Sequence, residues 1–487
     1  MISKIKKIIS RQSDVAKNGS IYLGSRVGTK ILSFLMLPVW TTFLSPEQYG
    51  VIGLIVAYSG MVGALLLLGL PSAIVRHYHD YDDQWSGYIK TIFGYALGIL
   101  FLVYMTMWMT DIILQEAAPD IIGRYRNVFW ITLTGGVLTQ LSIAGVQAER
   151  ASKQFIIGNF ISYLVGVTLS LLFVIYFRMG AEGFLYGMGT GTLVGVAYMV
   201  SNRREKWLFG GGAIHAQYLK KGMKYGALLL PTALSGWAIN FLGRIIVERY
   251  SGLQEVGLFS FAGNLAMVMS FIMISLVQAW SPEYFASRKR GSENEIKASV
   301  SHIDGLATKF SLIVLIGIAS FGTPMLSVLI SDRYHSALGM ITPLCVGYLF
   351  FGFTNIETRE CMFLGKNFQV SVIYVIGAFV AIVGSLALVP TYGGYGASIA
   401  SMVAMFIMSL LPLVMNRRQG VKILNLKSYG LSFVYGLCCI FADKLIPTDD
   451  VNAWLVRSFF ALLMGGMLFV ALNSFCKSNK SRVSGAV

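Results

Sequence analysis

The chain has 487 residues, of which 55% are hydrophobic and only 13% charged, with a mean hydropathy of +0.66. No soluble domain of this length is so poor in charge, so the composition excludes a soluble enzyme or binding module and implies an integral membrane protein. In a soluble protein the net charge of +16 would point to nucleic acid; here basic loops on one side of a bilayer account for it, and no nucleic-acid partner is expected.

Residues 1–18 are basic, with Ile2, Ile5, Ile8 and Ile9 at helical spacing between lysines, which predicts a segment lying flat on the cytoplasmic surface. No short apolar core with a small-residue cleavage site follows, so no signal peptide is predicted. The next stretch, 19–44 (GSIYLGSRVGTKILSFLMLPVWTTFL), is apolar enough to cross a bilayer yet carries Arg26 and Lys30. A span starting after the cations would be too short, because crossing takes about 20 residues. A helix entering near Asn18 sets Lys30 roughly 18 Å deep in a hydrocarbon core about 30 Å thick. Each such charge costs about 2.5–3.5 kcal/mol unless water or a partner meets it. Arg26 and Lys30 share one helical face, with Tyr22, Ser33 and Trp40 close to the same stripe. That stripe is predicted to line a hydrated, cationic, intramembrane cavity.

Thirteen more apolar runs follow. Five complete the first half: 51–70, 87–110, 127–147, 156–177 and 184–202. The longest polar segment, 203–224, divides the chain as a basic cytoplasmic linker. Beyond it come 225–250 with Arg244, 258–280, 302–329 with Lys309, 337–358, 368–389 and 397–416, then a final pair at 429–446 and 454–475 and a cytoplasmic tail, 476–487. Lys444 and Arg457 crowd the turn of that final pair, which is the least regular of the expected hairpins. The fold class is therefore all-α and polytopic, with about fourteen transmembrane helices.

Twenty-eight of the 39 Lys and Arg residues fall in segments that are cytoplasmic if the N-terminus is inside; four (Arg124, Arg126, Arg178, Arg333) fall outside and seven within or at the ends of spans. This bias predicts that both termini are cytoplasmic. An internal repeat agrees with the count. The outer turn LSPEQYGVIG (44–53) resembles SGLQEVGLFS (251–260), and RMGAEGFLYG (178–187) resembles TYGGYGASIA (391–400). The offsets are 207 residues between Gly50 and Gly257 and 213 between Gly183 and Gly396. Six helices separate each pair of partners, so the copies run in the same sense, which predicts two parallel six-helix bundles, 19–202 and 225–416, related by a pseudo-two-fold along the membrane normal, plus the C-terminal pair 429–475. A substrate cavity is expected between the bundles.

Cys345, Cys361, Cys438, Cys439 and Cys476 lack metal-ligand spacing and read as small apolar residues. His77 and His79 sit beside acids without enough further ligands for a metal, so no metal is expected. The run GFLYGMGTGTLVG is helix-packing glycine rather than a nucleotide loop, and no Walker motif occurs. No cofactor is expected beyond coupling to H⁺ or Na⁺, and the energy for transport comes from an ion gradient, the membrane potential or mass action.

The segments FLSPEQYGVIGL and LLGLPSAIVRHY around the second span, and GKNFQVSVIYVIGAFVAIVGSLALVPTYGGYGAS near the end, resemble the polysaccharide exporters of the multidrug/oligosaccharidyl-lipid/polysaccharide (MOP) superfamily, in particular the Wzx-type flippases. The resemblance covers essentially the whole chain. It implies a transporter in the bacterial inner membrane that moves undecaprenyl-diphosphate-linked oligosaccharide, such as an O-antigen or capsular repeat unit, to the periplasmic leaflet without a chemical step. It also implies membrane lipid, a polysaccharide polymerase and a chain-length regulator as partners, and a monomer as the functional unit. A diphosphate calls for fixed positive charge, with Arg favoured for its paired donors. Arg26, Lys30, Arg244 and Lys309 are the candidate substrate-binding cations. Arg244 also has an acid one turn on, Glu248, with which it pairs on one helix face if it is not in the cavity. Lys309 either lines the cavity or snorkels to the surface. Arg76, Arg150 and Arg359 mark the cytoplasmic entrance or are ordinary positive-inside residues. Glu248 is the preferred coupling acid over Asp304, Glu357 and Asp443. Two alternatives remain: a cation-coupled multidrug exporter of the same superfamily, disfavoured because bases rather than acids occupy the spans, and a membrane glycosyltransferase or polymerase, which would need an acidic catalytic cluster and a long outer loop.

The topology is tested by single cysteines placed in 203–224 of a cysteine-free chain. They should react in intact cells only with membrane-permeant reagents; labelling by an impermeant reagent would reverse the map.

Overall fold

The computed structural model describes residues 32–81, 84–114, 120–446 and 456–468. Among the described residues every regular element is helical, and nine helices are long and apolar enough to cross a bilayer. Two of these nine are double-length: Ala216–Arg290 with 75 residues and Asn367–Arg418 with 52. Each contains a backbone break, at Gly252 (φ 83°, ψ 176°) and at Gly393 (φ 55°, ψ −137°). Both breaks fall in turns that the repeat predicts. Every predicted span overlaps a described helix, the shorter apolar helices Leu32–Phe43 and Val456–Leu468 included.

One predicted loop is largely helix. The segment 281–297 reads as a cytoplasmic connection, yet the helix continues to Arg290 and the next begins at Glu293, leaving only Gly291 and Ser292 between. Its Arg, Lys, Glu and Ala residues are good helix formers. The Ser292 hydroxyl accepts the Glu295 N–H and so starts the second helix.

The packing has two compact units. The first holds the described residues up to Ser260 together with Tyr374–Leu386, and the second holds Phe261–Ile373 with the described residues from Ala387 onward. These are units of contact, whereas 19–202 and 225–416 are ranges of a repeat.

In the first unit, the Ser152–Leu171 and Gly180–Ser201 helices pack through small residues. A Cβ at Gly187, Gly191 or Gly195 would overlap Ser170, Gly166 or Ser162 in turn, the close approach that membrane helices use in place of a hydrophobic driving force. The Ala216–Trp237 helix and its continuation run antiparallel to Pro46–Leu67. Trp237 Nε1 donates to Ala57 O at 2.9 Å, and Arg244 Nη1 to Gly53 O at 3.3 Å. Beyond them Gly50 and Gly257 meet. A Cβ on Gly50 would strike Leu253 O, and one on Gly257 would strike Pro46 O. Pro46 and Leu253 are separated by the same 207 residues as the two glycines, so the contact is reciprocal, as a local two-fold axis requires. The second pair of repeated turns also matches in conformation: Gly180 and Gly393 adopt φ of 54° and 55°, a region that disfavours a side chain.

In the second unit the final helices are joined by charge. Arg457 Nη1 lies 3.1 Å from Asp443 Oδ1, with the side chains 2% and 6% exposed. The guanidinium also donates to Ala319 O at 2.7 Å and Ile446 O at 2.6 Å, and Thr342 donates to Asp443 at 2.8 Å. Of the two cations read from sequence as crowding this turn, Lys444 and Arg457, it is Arg457 that enters a buried, hydrogen-bonded ion pair, and its partner is Asp443. Arg457→Ala strands Asp443 and should destabilise the protein by about 3–5 kcal/mol, seen as an early thermal transition in detergent micelles. The Asp443→Ala, Arg457→Ala double variant should recover part of that loss. Equal loss in single and double variants would mean the pair is not what joins these helices.

Candidate functional site

Of the candidate substrate-binding cations, the one the structure buries is Arg244. It is 5% exposed and eight residues before the Gly252 break, about 12 Å along the helix from it. Its guanidinium carbon stands 4.9 Å from the centre of the Phe241 ring, a cation–π contact, and its Nη1 reaches the Gly53 carbonyl. The preceding residues, Ala238–Leu242, form a π segment, a local widening that recurs at functional positions in helices.

Glu248 is one turn beyond Arg244 but does not pair with it. Its hydrogen bond comes from the Tyr58 hydroxyl at 3.5 Å, across 190 residues of sequence. Tyr58 was missed by sequence reading, since nothing local marks it. Arg26 and Lys30 lie outside the described residues. Of their predicted stripe, Trp40 is placed: it is 6% exposed and packs edge-on against Phe184 at 5.0 Å, so it belongs to the core of the first unit and not to a hydrated wall.

In the second unit Lys309 is half-buried and makes no hydrogen bond or ion pair with the described residues. The embedded acids of this unit are tied. Asp304 accepts from Asn425 Nδ2 at 2.6 Å and from the Asn425 N–H at 3.3 Å. Glu357 accepts from Asn416 Nδ2 at 2.7 Å and the Leu424 N–H at 3.0 Å. Of the four candidate coupling acids, Asp304, Glu357 and Asp443 each hold two or more partners; Glu248 holds one, at the long limit of a hydrogen bond.

The three entrance arginines differ in their settings. Arg76 is exposed, 3.9 Å from Asp80. Arg150 is exposed and adopts φ 55° just after the Arg126–Ala148 helix. Arg359 donates to Asn355 O at 3.2 Å within its own helix. What the structure adds at these helix ends is a pair of buried acids that the sequence did not single out. Glu149 gathers Trp85 Nε1 at 2.8 Å, Trp207 Nε1 at 2.6 Å and Arg203 at 3.4 Å. Glu360 is met by Tyr284 and Arg288. Outside the spans, the hydrogen bond from His77 holds the Asp80 carboxyl below the usual carboxylate range.

The sequence profile of the family described as Polysaccharide biosynthesis protein matches residues 15–287, more than half of the chain. A protein of the Lsg locus of Haemophilus influenzae is 21% identical over 419 residues, covering 77% of this chain and 96% of that protein. The succinoglycan biosynthesis transport protein ExoT of Rhizobium meliloti is 19% identical over 341 residues, 66% of this chain and 64% of that one. Among solved structures, the lipid II flippase MurJ in an inward closed conformation matches with a TM-score of 0.72 at 13% identity, over 94% of this chain and 99% of MurJ. A MOP superfamily transporter from Pyrococcus furiosus matches at 0.58 and 15% identity, over 83% and 95%. The chain therefore belongs to the polysaccharide biosynthesis protein family and is a multi-pass membrane protein with the fold of the MOP-superfamily transporters.

Proposed function

We propose that the protein is a flippase for diphosphate-linked oligosaccharide, carrying the glycan head from the cytoplasmic to the outer leaflet of a bacterial inner membrane by alternating access, while the prenyl tail stays in lipid. The observation that carries this reading is Arg244: a guanidinium kept inside an apolar span, against Phe241 and a backbone carbonyl, on a chain whose family serves polysaccharide biosynthesis. Transport is a binding cycle with no bond made or broken. With both termini cytoplasmic, Arg26, Lys30 and Lys309 would add positive charge for the diphosphate along the path. The multidrug-exporter alternative calls for acids free to take cations, and three of the four embedded candidates are occupied by structural hydrogen bonds.

The test is translocation of lipid-linked oligosaccharide in vesicles, scored by access of a glycan-binding lectin to the outer leaflet. Arg26→Ala and Arg244→Ala should each cut the rate at least tenfold at normal insertion. Arg244→Lys should keep part of it, since it preserves charge but loses the paired donors. Wild-type rates in both Ala variants would end the cationic-path reading.

Coupling to H⁺ or Na⁺ belongs to the same proposal. Substrate engaging Arg244 would alter the field at Glu248 one turn away, and the single contact from Tyr58 leaves that carboxylate able to change occupancy. Glu248→Gln should still bind substrate yet stop responding to an imposed pH or Na⁺ gradient. A wild-type gradient response in that variant assigns coupling elsewhere.

A further inference from the structure

At the end of the first unit that the charge bias assigns to the cytoplasm, three elements come together: the Leu70–His77 helix, the start of Trp85–Leu114 and the start of Ala216–Trp237. Between them lies a polar cluster with no part in the cycle described above. Tyr88 is 0% exposed, and its hydroxyl has no hydrogen-bond partner. Gly222 lies against that hydroxyl: a Cβ at Gly222 would stand 3.5 Å from the oxygen and 3.1 Å from Leu70 Cδ2, so the two helices approach closely beside it. His77 supplies a second such atom. Its Nδ1 is 2.8 Å from Asp80 Oδ2, while its Nε2 is buried and has no partner. The His77 and Tyr88 rings are 6.3 Å apart. Buried polar atoms in native proteins are nearly always hydrogen-bonded, so two unpartnered ones in a single cluster point to a ligand.

The charges around the cluster identify its chemistry. Lys221, the residue before Gly222, holds its ammonium 5.6 Å from the centre of the Tyr81 ring, and Tyr81 stacks on Tyr88 at 4.9 Å. Arg76 precedes His77 and is exposed beside Asp80. Asp80 orients His77 through Nδ1, which leaves Nε2 directed inward. Among the described residues two full cations face this one carboxylate, with Asp82 and Asp83 outside them, and with the tyrosine hydroxyl and the imidazole they offer point charge and directional hydrogen bonds together. That combination suits phosphate oxygens, with the arginine able to bind two at once.

We propose that Arg76, His77, Tyr88 and Lys221 form a docking site for the phosphate groups of the lipid-linked substrate as it arrives from the cytoplasmic leaflet. This rests on the flippase reading for the identity of the phosphate carrier. The site itself is a property of the first unit. An anionic phospholipid head shares the same chemistry, and the experiment separates the two sources.

The probe is inorganic pyrophosphate, titrated calorimetrically into the full-length protein in nanodiscs of neutral phosphatidylcholine at fixed ionic strength. Lys221→Ala and Tyr88→Phe should each weaken binding about fivefold to tenfold, and Lys221→Arg should restore it. Tyr88→Phe is the decisive variant. Its hydroxyl supports nothing in the fold, so the thermal transition should not fall while the affinity does. Unchanged affinity in both Tyr88→Phe and Lys221→Ala would overturn the proposal and leave a hydration site. Repeating the titration with phosphatidylglycerol in the disc tests the source. Binding that persists supports a substrate site, and binding that phosphatidylglycerol abolishes assigns the cluster to bilayer lipid and overturns it. The flippase reading fails separately, if wild-type vesicles move no oligosaccharide while Tyr88-dependent pyrophosphate binding stands.

Discussion

An ionisable side chain inside a bilayer has to be answered within the protein, because the hydrocarbon around it offers neither water nor counter-ion, and the unanswered charge costs about 2.5–3.5 kcal/mol or more. Among the described residues the second unit ties down its embedded acids, while Lys309 stays outside these pairings. Asp443 and Arg457 meet each other, Glu360 meets Tyr284 and Arg288, and Asp304 and Glu357 each collect amide donors from Asn425, Asn416 and the Leu424 backbone. These bonds bring distant segments together at helix ends and leave little for transport to change. The first unit treats Arg244 and Glu248 differently. They sit one turn apart without joining, one turned to an aromatic face and a carbonyl, the other to a tyrosine at the long limit of hydrogen bonding. The static reading suits the second unit and the working reading suits the first.

The repeated turns show a different constraint, steric rather than electrostatic. Pro46–Gly50 and Leu253–Gly257 approach until backbone touches backbone, which demands glycine at both central positions. Gly180 and Gly393 likewise share a positive φ. Duplicated sequence is therefore best preserved where the backbone itself makes the contact. Along the spans any apolar residue of suitable volume fills the same space, so no such match is required there.

This explains how much was legible in the chain. The spans were legible because a bilayer imposes length and apolarity on each segment by itself, and the turns because their chemistry is local. The glycines of Gly180–Ser201 announced tight packing by their spacing. The site was legible only as a set of costly charges. That Glu248 takes Tyr58 rather than Arg244, and that Glu149 gathers Trp85, Trp207 and Arg203, follows from which helices lie side by side, over separations of tens to hundreds of residues. No local pattern encodes that. Trp40 shows the converse. Its position on the same stripe as Arg26 implied a wet wall, but a helix face several turns long can border solvent at one end and pack on Phe184 at the other.

The Asp443–Arg457 pair bears on how the chain is made. Thirteen residues separate the two in sequence, yet each would be poorly received by lipid if its helix entered alone. Neutralised against one another, they make the last two helices a single insertion unit. The ribosome must therefore deliver both before either is stable in the membrane, and the insertion machinery must shelter the Asp443 helix until Arg457 emerges. A chain that stops between them would leave a lone carboxylate in hydrocarbon.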